Sequence, residues 1–327
     1  MIAIEISSFG PPQVLRPVER PNPVPKEREV LIRVEAAGVA RADILQREGN
    51  YPPPPGASDI PGLDVAGVIE DIGTGVKNWN VGDAVCAILS GGGYAEYCAV
   101  PSVQVLPIPE DWSAVEAATL PENIFTVYDN LVTRGGLKRG ETVLIHGGTS
   151  GVGSMAIMLT RALLARPLTT VGSEEKCQAA LEFGAEYAIN YKKQDFVSEV
   201  TRITEGRGAN VILDMIGGSY LERNVEALAL EGRLCIIAAQ GGRTGQLDVQ
   251  KLMMKRGRVI ASTLRARTPE EKGEIARRLR HDIWPVLSAK DVIRPIVDCT
   301  FPLRDAALAH ERMQSGNHMG KIVLVRS

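Results

Sequence analysis

No run of about twenty apolar residues occurs in this chain, so the sequence offers no segment able to span a bilayer as a helix. Neither sign of charge dominates. Lys and Arg total 37 against 39 Asp and Glu, a net charge of −2, which leaves no electrostatic footprint for nucleic acid or an anionic membrane. Cysteine is scarce and scattered. The five residues Cys86, Cys98, Cys177, Cys235 and Cys299 make neither a C-x-x-C pair nor a disulfide framework, and read as reduced thiols of a cytoplasmic protein. The four histidines show no H-E-x-x-H or related spacing, so no metal site is expected. The phosphate loop G-x-x-x-x-G-K-[ST] is missing, which argues against an ATP-type site. Gly148-Thr149-Ser150-Gly151-Val152 lacks the last glycine of a nucleophile elbow. The first residues, Met1–Ile6, alternate like a strand and lack the basic start and cleavage site of a signal peptide.

What is there divides in two. A chain of 327 residues exceeds one ordinary core. Before residue 120, short β-rich runs (Val30–Val34, Val65–Ile72, Ala84–Leu89, Tyr94–Val100) alternate with Pro- and Gly-rich turns, notably Pro21–Pro25 and Pro52–Gly56. That texture predicts an antiparallel barrel or sandwich. From about 140, strands and helices alternate: strand 142–145, helix 151–165, strand 168–171, helix 173–184, strand 187–189, helix 194–205, strand 211–214, helix 220–230, and strands 234–239 and 259–264. Six strands with helices between them predict an α/β, doubly wound parallel sheet. A polar helical stretch over 269–287 follows, then a tail with strands 293–298 and 321–325 around a helix at 303–314. The expected domains are 1–121, 122–286, and a return over 287–327 that completes the first.

The candidate chemistry lies at the strand ends. Gly148-Thr149-Ser150-Gly151-Val152-Gly153 leaves a buried strand and opens a helix, the arrangement in which backbone N–H groups receive a pyrophosphate. The next strand ends Val171-Gly172-Ser173 with no carboxylate at its tip, where NAD sites place one for the ribose 2′-hydroxyl. Ser173, Lys176 and the hydroxyl of Tyr191 suit a 2′-phosphate instead, and so NADPH. Glu174 and Glu175 oppose that reading by like charge, and Ser173 also serves as a helix cap. Ile216-Gly217-Gly218 and Ala239-Gln240-Gly241-Gly242 are small-residue openings after the fourth and fifth strands, as a backbone approaching a ligand requires, although ordinary turns look similar.

With these residues in hand, the chain resembles the zinc-free quinone oxidoreductases of the medium-chain dehydrogenase/reductase superfamily. The likeness runs nearly end to end. It is carried by Ala42–Arg47, Tyr51-Pro52-Pro53-Pro54-Pro55-Gly56-Ala57-Ser58, Gly62–Gly67, Val81-Gly82-Asp83, Pro121-Glu122, the glycine turn, Asn190–Lys193, Ile216–Tyr220 and Gly320–Leu324. The Y-P-P-P-P-G-A-S and I-G-G-S-Y segments point to the branch of the animal stress-inducible quinone oxidoreductase.

The resemblance implies a GroES-like β-barrel domain joined to a Rossmann domain, an active site in the cleft between them, and NADPH. It also implies homodimers that pair the edge strand Val259–Leu264. By matching position, Ser150, Gly151, Val152 and Gly153 would hold the pyrophosphate, and Ser173, Lys176 and Tyr191 the 2′-phosphate. Thr126 would touch the nicotinamide. Ile216, Gly217, Ala239, Leu264 and Arg265 would line the cofactor groove, with Asn317 and Lys321 closing it. Tyr51 would stand at the acceptor's entrance as the one candidate catalytic group, packing against the proline loop being its alternative role. Zinc relatives carry a cysteine and a Gly-His-Glu segment where this chain has Ala40 and Gly62-Leu63-Asp64, so no metal is expected. Ala40 also replaces the asparagine common in quinone reductases, which removes one contact near the nicotinamide. The implied activity is hydride transfer to a small-molecule quinone. An enoyl reductase and a non-catalytic dinucleotide-binding protein are the alternatives.

Overall fold

The computed structural model describes residues 1–287 and 292–326. Two compact units divide them. The first takes residues 1–125, 264–287 and 295–326; the second takes 126–263 and 292–294.

The first unit opens with β1 (Ile2–Ile6), β2 (Leu15–Glu19), β3 (Glu29–Gly38), β4 (Asp64–Ile72), β5 (Ala84–Ile88), β6 (Tyr97–Pro101) and β7 (Val105–Pro107). The second unit contributes β8 (Thr142–His146), β9 (Arg166–Val171), β10 (Tyr187–Asn190), β11 (Ala209–Asp214), β12 (Leu228–Ile236) and β13 (Arg258–Ala261). The chain then returns to the first unit with β14 (Val297–Pro302) and β15 (Lys321–Val325).

In the first unit, β1 and β2 pair by themselves, and the main sheet runs β14-β15-β3-β4-β5-β7 with β6 also on β3. The strand β3 carries the pattern because its alternate residues Val30, Ile32 and Val34 are buried in one cluster with Val65, Ile69, Val85 and Leu324. An antiparallel sheet was the expectation, but β14 lies parallel to β15. The helix Ala306–Gln314 joins those two strands, and a crossover of this kind permits parallel pairing. The tail strand expected at 293–298 forms instead at Val297–Pro302. The short β2 and β7 carry too little alternation to be read beforehand.

The second unit is an all-parallel six-stranded sheet in the order β10-β9-β8-β11-β12-β13. The order reverses between β8 and β11, the switch point at which ligands bind in open sheets. Apolar runs such as Val143-Leu144-Ile145 and Val211-Ile212-Leu213 are fully buried, as strands covered on both faces must be.

The helix expected over 220–230 ends at Ala227, and β12 starts at Leu228. Leu228 pairs with Ala209, and the register then slips before Val211, with Glu231 at φ 59°. Tertiary pairing overrides a helical pattern there. The last strand ends at Ala261 rather than 264. The helix Pro269–Asp282, expected in the second domain, belongs to the first unit. Its Lys272 ammonium donates to Ser90 Oγ at 2.6 Å, and Trp284 just beyond donates its indole N–H to the Pro107 carbonyl at 3.0 Å.

Candidate functional site

In the second unit the turn after β8 is built around missing side chains. A Cβ on Gly148 would stand 2.0 Å from Thr169 Oγ1, and one on Gly153 would stand 2.1 Å from the Gly147 carbonyl oxygen. Gly147 itself takes φ 71°, which a side chain disfavours. Ser150 caps the helix Gly151–Ala162: its Oγ accepts from the Gly153 amide at 3.0 Å and donates to the Gly147 carbonyl at 2.8 Å. The first-turn amides of Gly151 and Val152 precede the helical ladder and have no carbonyl four residues behind them within it. Glycine is required here for closeness, and serine for the cap.

At the tip of β9, Ser173 caps the helix Glu174–Glu182 by accepting from the Lys176 amide at 3.2 Å. Tyr191 follows β10 and is 45% exposed, and its hydroxyl lies 2.8 Å from where a Gly172 Cβ would be. The two segments that carry Ser173 and Tyr191 therefore meet. Glu174 accepts from Asn190 Nδ2 at 2.8 Å and pairs with Lys193 Nζ at 3.0 Å. The Asn190 amide, and after it Lys193, hold this exposed carboxyl below its ordinary range. Its charge is answered by neighbours, which removes half of the objection raised by the two glutamates.

The ends of β11 and β12 also meet. A Cβ on Gly217, which takes φ 77°, would stand 2.9 Å from Ala239 Cα, and one on Gly241 would stand 2.6 Å from Ile216 Cγ2. Ile216 is half-buried and Ala239 exposed. Asp214, fully buried, organises this opening by accepting from the Ile216 amide at 2.7 Å and the Gly217 amide at 3.1 Å. Burial raises its carboxyl above the usual range despite these bonds. Behind it, His146 Nε2 donates to Asn224 Oδ1 at 2.7 Å while Nδ1 accepts from the Thr170 hydroxyl at 2.9 Å. Burial pushes that imidazole down to about 4, so it is neutral at pH 7. Thr126 is half-buried and its carbonyl accepts from Asn130 Nδ2 at 2.9 Å.

In the first unit, Tyr51 is half-buried, and burial raises its phenol above the ordinary value although Arg265 opposes this. Leu264 is half-buried and Asn317 exposed. Arg265 is only 4% exposed and its guanidinium is spent inside this unit, on Ser90, Tyr51 and Gln46. Lys321, expected to close a cofactor groove, is 3% exposed and its ammonium lies 2.6 Å from Asp64 Oδ2 and 3.5 Å from Glu122 Oε2. Gly38 makes room for this pair, since a Cβ there would stand 2.7 Å from Lys321 Cε. Among the described residues no three His, Cys, Asp or Glu side chains gather as metal ligands. At Asp64 the carboxylate already has a cation, the ammonium.

A second buried cluster links Tyr94, Asp43, His310 and Arg47. The Tyr94 hydroxyl donates to Asp43 at 3.2 Å and therefore accepts from His310 Nε2 at 3.1 Å. Arg47 Nη1 faces His310 Nδ1 at 3.5 Å. Burial, with Arg47 beside it, drops His310 to about 3. An unfolded histidine protonates near 6.5, so this group's contribution is complete above pH 6.5 and is lost as pH falls toward 3. Replacing His310 with glutamine is expected to flatten the acid side of the stability curve between pH 4 and 6 by about one proton, or ~1.4 kcal/mol per pH unit. Guanidinium unfolding of both proteins at several pH values checks this. An unchanged slope would refute it.

Sequence reading missed Asp214, Gln46, Lys272 and Lys321's true partner. Only Asp214 carried a local signal, a carboxylate ending the apolar run Val211-Ile212-Leu213.

Comparison with known proteins agrees with this architecture. The alcohol dehydrogenase GroES-like domain family matches residues 26–110, and the zinc-binding dehydrogenase family matches 151–279. The chain is 32% identical over 328 residues to the quinone oxidoreductase of Rattus norvegicus, covering 99% of this chain and 98% of the relative. Among solved structures, Escherichia coli quinone oxidoreductase complexed with NADPH superposes with a TM-score of 0.87 at 28% identity, covering 99% of this chain and all of the other. The JamJ enoyl reductase, in its apo form, gives a TM-score of 0.88 at 26% identity over 100% of this chain and 99% of that one. Among the described residues no helix is long and apolar enough to cross a membrane.

Proposed function

We propose, for a chain that belongs to the medium-chain dehydrogenase/reductase superfamily and to its quinone oxidoreductase-like members, that it reduces quinones with NADPH and without zinc. The observation that carries the cofactor choice is the tip of β9. No carboxylate stands there, Glu174 is held by Asn190 and Lys193, and Ser173 and Tyr191 sit on segments that touch. When bound, the dinucleotide supplies a hydride from its nicotinamide.

The chain's own residues bind and orient. The amides of Gly151 and Val152 receive the pyrophosphate, and Gly153 keeps the turn close enough for this. Ser173, Lys176 and Tyr191 hold the 2′-phosphate. Thr126 touches the nicotinamide, and Ile216, Gly217 and Ala239 line the cofactor groove. Tyr51 donates its phenolic proton in a hydrogen bond to a quinone oxygen, so catalysis is chiefly positioning and exclusion of water. Zinc independence rests on Ala40 and Leu63, which have no ligating atoms, and on the Lys321 ammonium at Asp64.

The test is oxidation of NADPH and of NADH with a panel of 1,2- and 1,4-quinones, before and after chelation. NADPH is expected to be favoured at least about tenfold in kcat/KM, ~1.4 kcal/mol, with chelation lacking effect. Lys176→Ala is expected to erase most of that preference while sparing NADH turnover. Equal use of both dinucleotides by the unaltered protein, or loss of activity with EDTA restored by zinc, refutes the corresponding part. Tyr51→Phe with unchanged quinone turnover would remove Tyr51 from the mechanism.

The likeness to an enoyl reductase supports a second reading, reduction of an activated C=C bond. A 2-enoyl thioester in the same panel distinguishes the two. The remaining proposals are a cytosolic location, where the cysteines stay reduced, and a homodimer joined through β13. That strand lies at the sheet's edge with Val259 38% exposed.

A further inference from the structure

We infer that Arg265 is a positioning residue for the Tyr51 loop, and not a cofactor ligand. The inference deepens the functional reading, because it rests on Tyr51 meeting the acceptor. Each nitrogen of the guanidinium is engaged within the first unit. Nε donates to the Ser90 carbonyl at 2.9 Å, Nη1 to the Tyr51 carbonyl at 3.1 Å, and Nη2 to Gln46 Oε1 at 2.6 Å. Its central carbon lies 5.3 Å from the centroid of the Tyr51 ring, within cation–π range.

Gln46 is itself fixed. It is 3% exposed and its Nε2 donates to the Asp59 carbonyl at 2.8 Å, on the far side of the proline loop. The clamp therefore ties both ends of the segment from Tyr51 to Asp59 to one cation. Planar, five-donor geometry is what lets a single side chain do this, and lysine lacks it.

The backbone of Arg265 is pinned as well. Lys272, fully buried, donates to the Arg265 carbonyl at 2.9 Å and to Ser90 Oγ at 2.6 Å. Ser90 Oγ donates to the same carbonyl at 3.0 Å. The charged groups acting on Lys272 are Arg265 and Arg267, both cations. A buried ammonium beside two cations is costly, and one carbonyl and one hydroxyl acceptor offset only part of that cost. The return is a rigid Arg265, and through it a rigid Tyr51.

The experiment compares the unaltered protein with Arg265→Met, Arg265→Lys, Gln46→Leu and the Arg265→Met/Gln46→Leu pair. Three readouts are taken: NADPH affinity by fluorescence titration without acceptor, kcat and KM for a 1,2-quinone, and hydrogen exchange of the amides of Gly49, Asn50 and Tyr51. Arg265→Met and Gln46→Leu are each expected to raise the quinone KM by about five- to tenfold and to speed exchange of that segment. NADPH affinity is expected to stay within about twofold. The double variant is expected to be little worse than Arg265→Met, since both changes break one unit. Arg265→Lys should recover only part of the loss.

Weakened NADPH binding with unchanged quinone KM in Arg265→Met would overturn the inference, as would a Gln46→Leu protein identical to the unaltered one in exchange and KM. Should Arg265→Met not fold, Gln46→Leu decides alone, because Gln46 is no cofactor candidate. If the unaltered protein reduces no quinone, the functional reading fails, while hydrogen exchange and NADPH affinity still judge the clamp.

Discussion

Replacing Lys321 with methionine is expected to destabilise the first unit by about 3–5 kcal/mol, the cost of leaving one partner of a buried ion pair uncompensated. Asp64 is fully buried, and its Oδ2 lies 2.6 Å from the ammonium while Oδ1 accepts the Glu122 amide at 2.5 Å. Burial already raises the Asp64 carboxyl to about 7 against the pull of the ammonium, so with methionine at 321 that burial would go unopposed, and Glu122 stands near enough to add repulsion. Burial alone would lower the lysine's affinity for its proton, and the Asp64 and Glu122 carboxylates outweigh it. The pair Lys321→Met with Asp64→Asn is expected to recover much of the loss, because a neutral amide needs no counter-charge. Denaturant unfolding of the three proteins tests this. A single variant within ~1 kcal/mol of the unaltered protein would show the pair to be dispensable.

Gly153→Ala is expected to lower NADPH affinity by at least about tenfold, ~1.4 kcal/mol, and to reduce stability besides. The added methyl would stand 2.1 Å from the Gly147 carbonyl oxygen and 2.8 Å from Gly148 Cα. Those atoms belong to the turn's own backbone, so relief requires the turn to open and the helix Gly151–Ala162 to withdraw from β8. On the proposed function, a pyrophosphate would then lose the amides of Gly151 and Val152. Ser150→Ala supplies the contrast, since it removes the cap bond to the Gly153 amide and the bond to the Gly147 carbonyl but adds no atom to the turn, typically ~1 kcal/mol of stability. Titration of NADPH fluorescence with both variants measures the difference. Equal affinities for Gly153→Ala and the unaltered protein would deny the turn its proposed role.

Much of the second unit was legible in the sequence because it depends on local chemistry. Buried parallel strands read as continuous apolar runs, and Ser150 and Ser173 announce helices that begin at Gly151 and Glu174. The boundaries failed where pairing with a distant strand decided them. Leu228 looks helical in its own neighbourhood and becomes β because Ala209 lies beside it. The first unit was harder to read. Its β2 and β7 carry too little alternation to be read locally, and its parallel pair β14–β15 depends on a crossover that no local pattern displays.

Among the candidate site residues the same division holds. Gly148, Gly153 and Gly217 were visible as glycines, and their reason, atoms within 3 Å of an absent Cβ, became visible only in three dimensions. Arg265 and Lys321 were named from resemblance, and the fold commits both charged groups to partners in the first unit. Gln46 and Arg265 are separated by 219 positions, and Lys321 and Asp64 by more. Such pairs leave no mark on either stretch of chain.

By itself the sequence determined the α/β class, the glycine-rich turn that opens a helix after β8 and the want of a carboxylate at the tip of β9. Each is a property of one short segment and its own backbone. Which charges are buried, what neutralises them and what holds Tyr51 were decided by the tertiary structure alone. A buried charge is tolerable only beside its partner, and folding is what brings that partner from the far end of the chain.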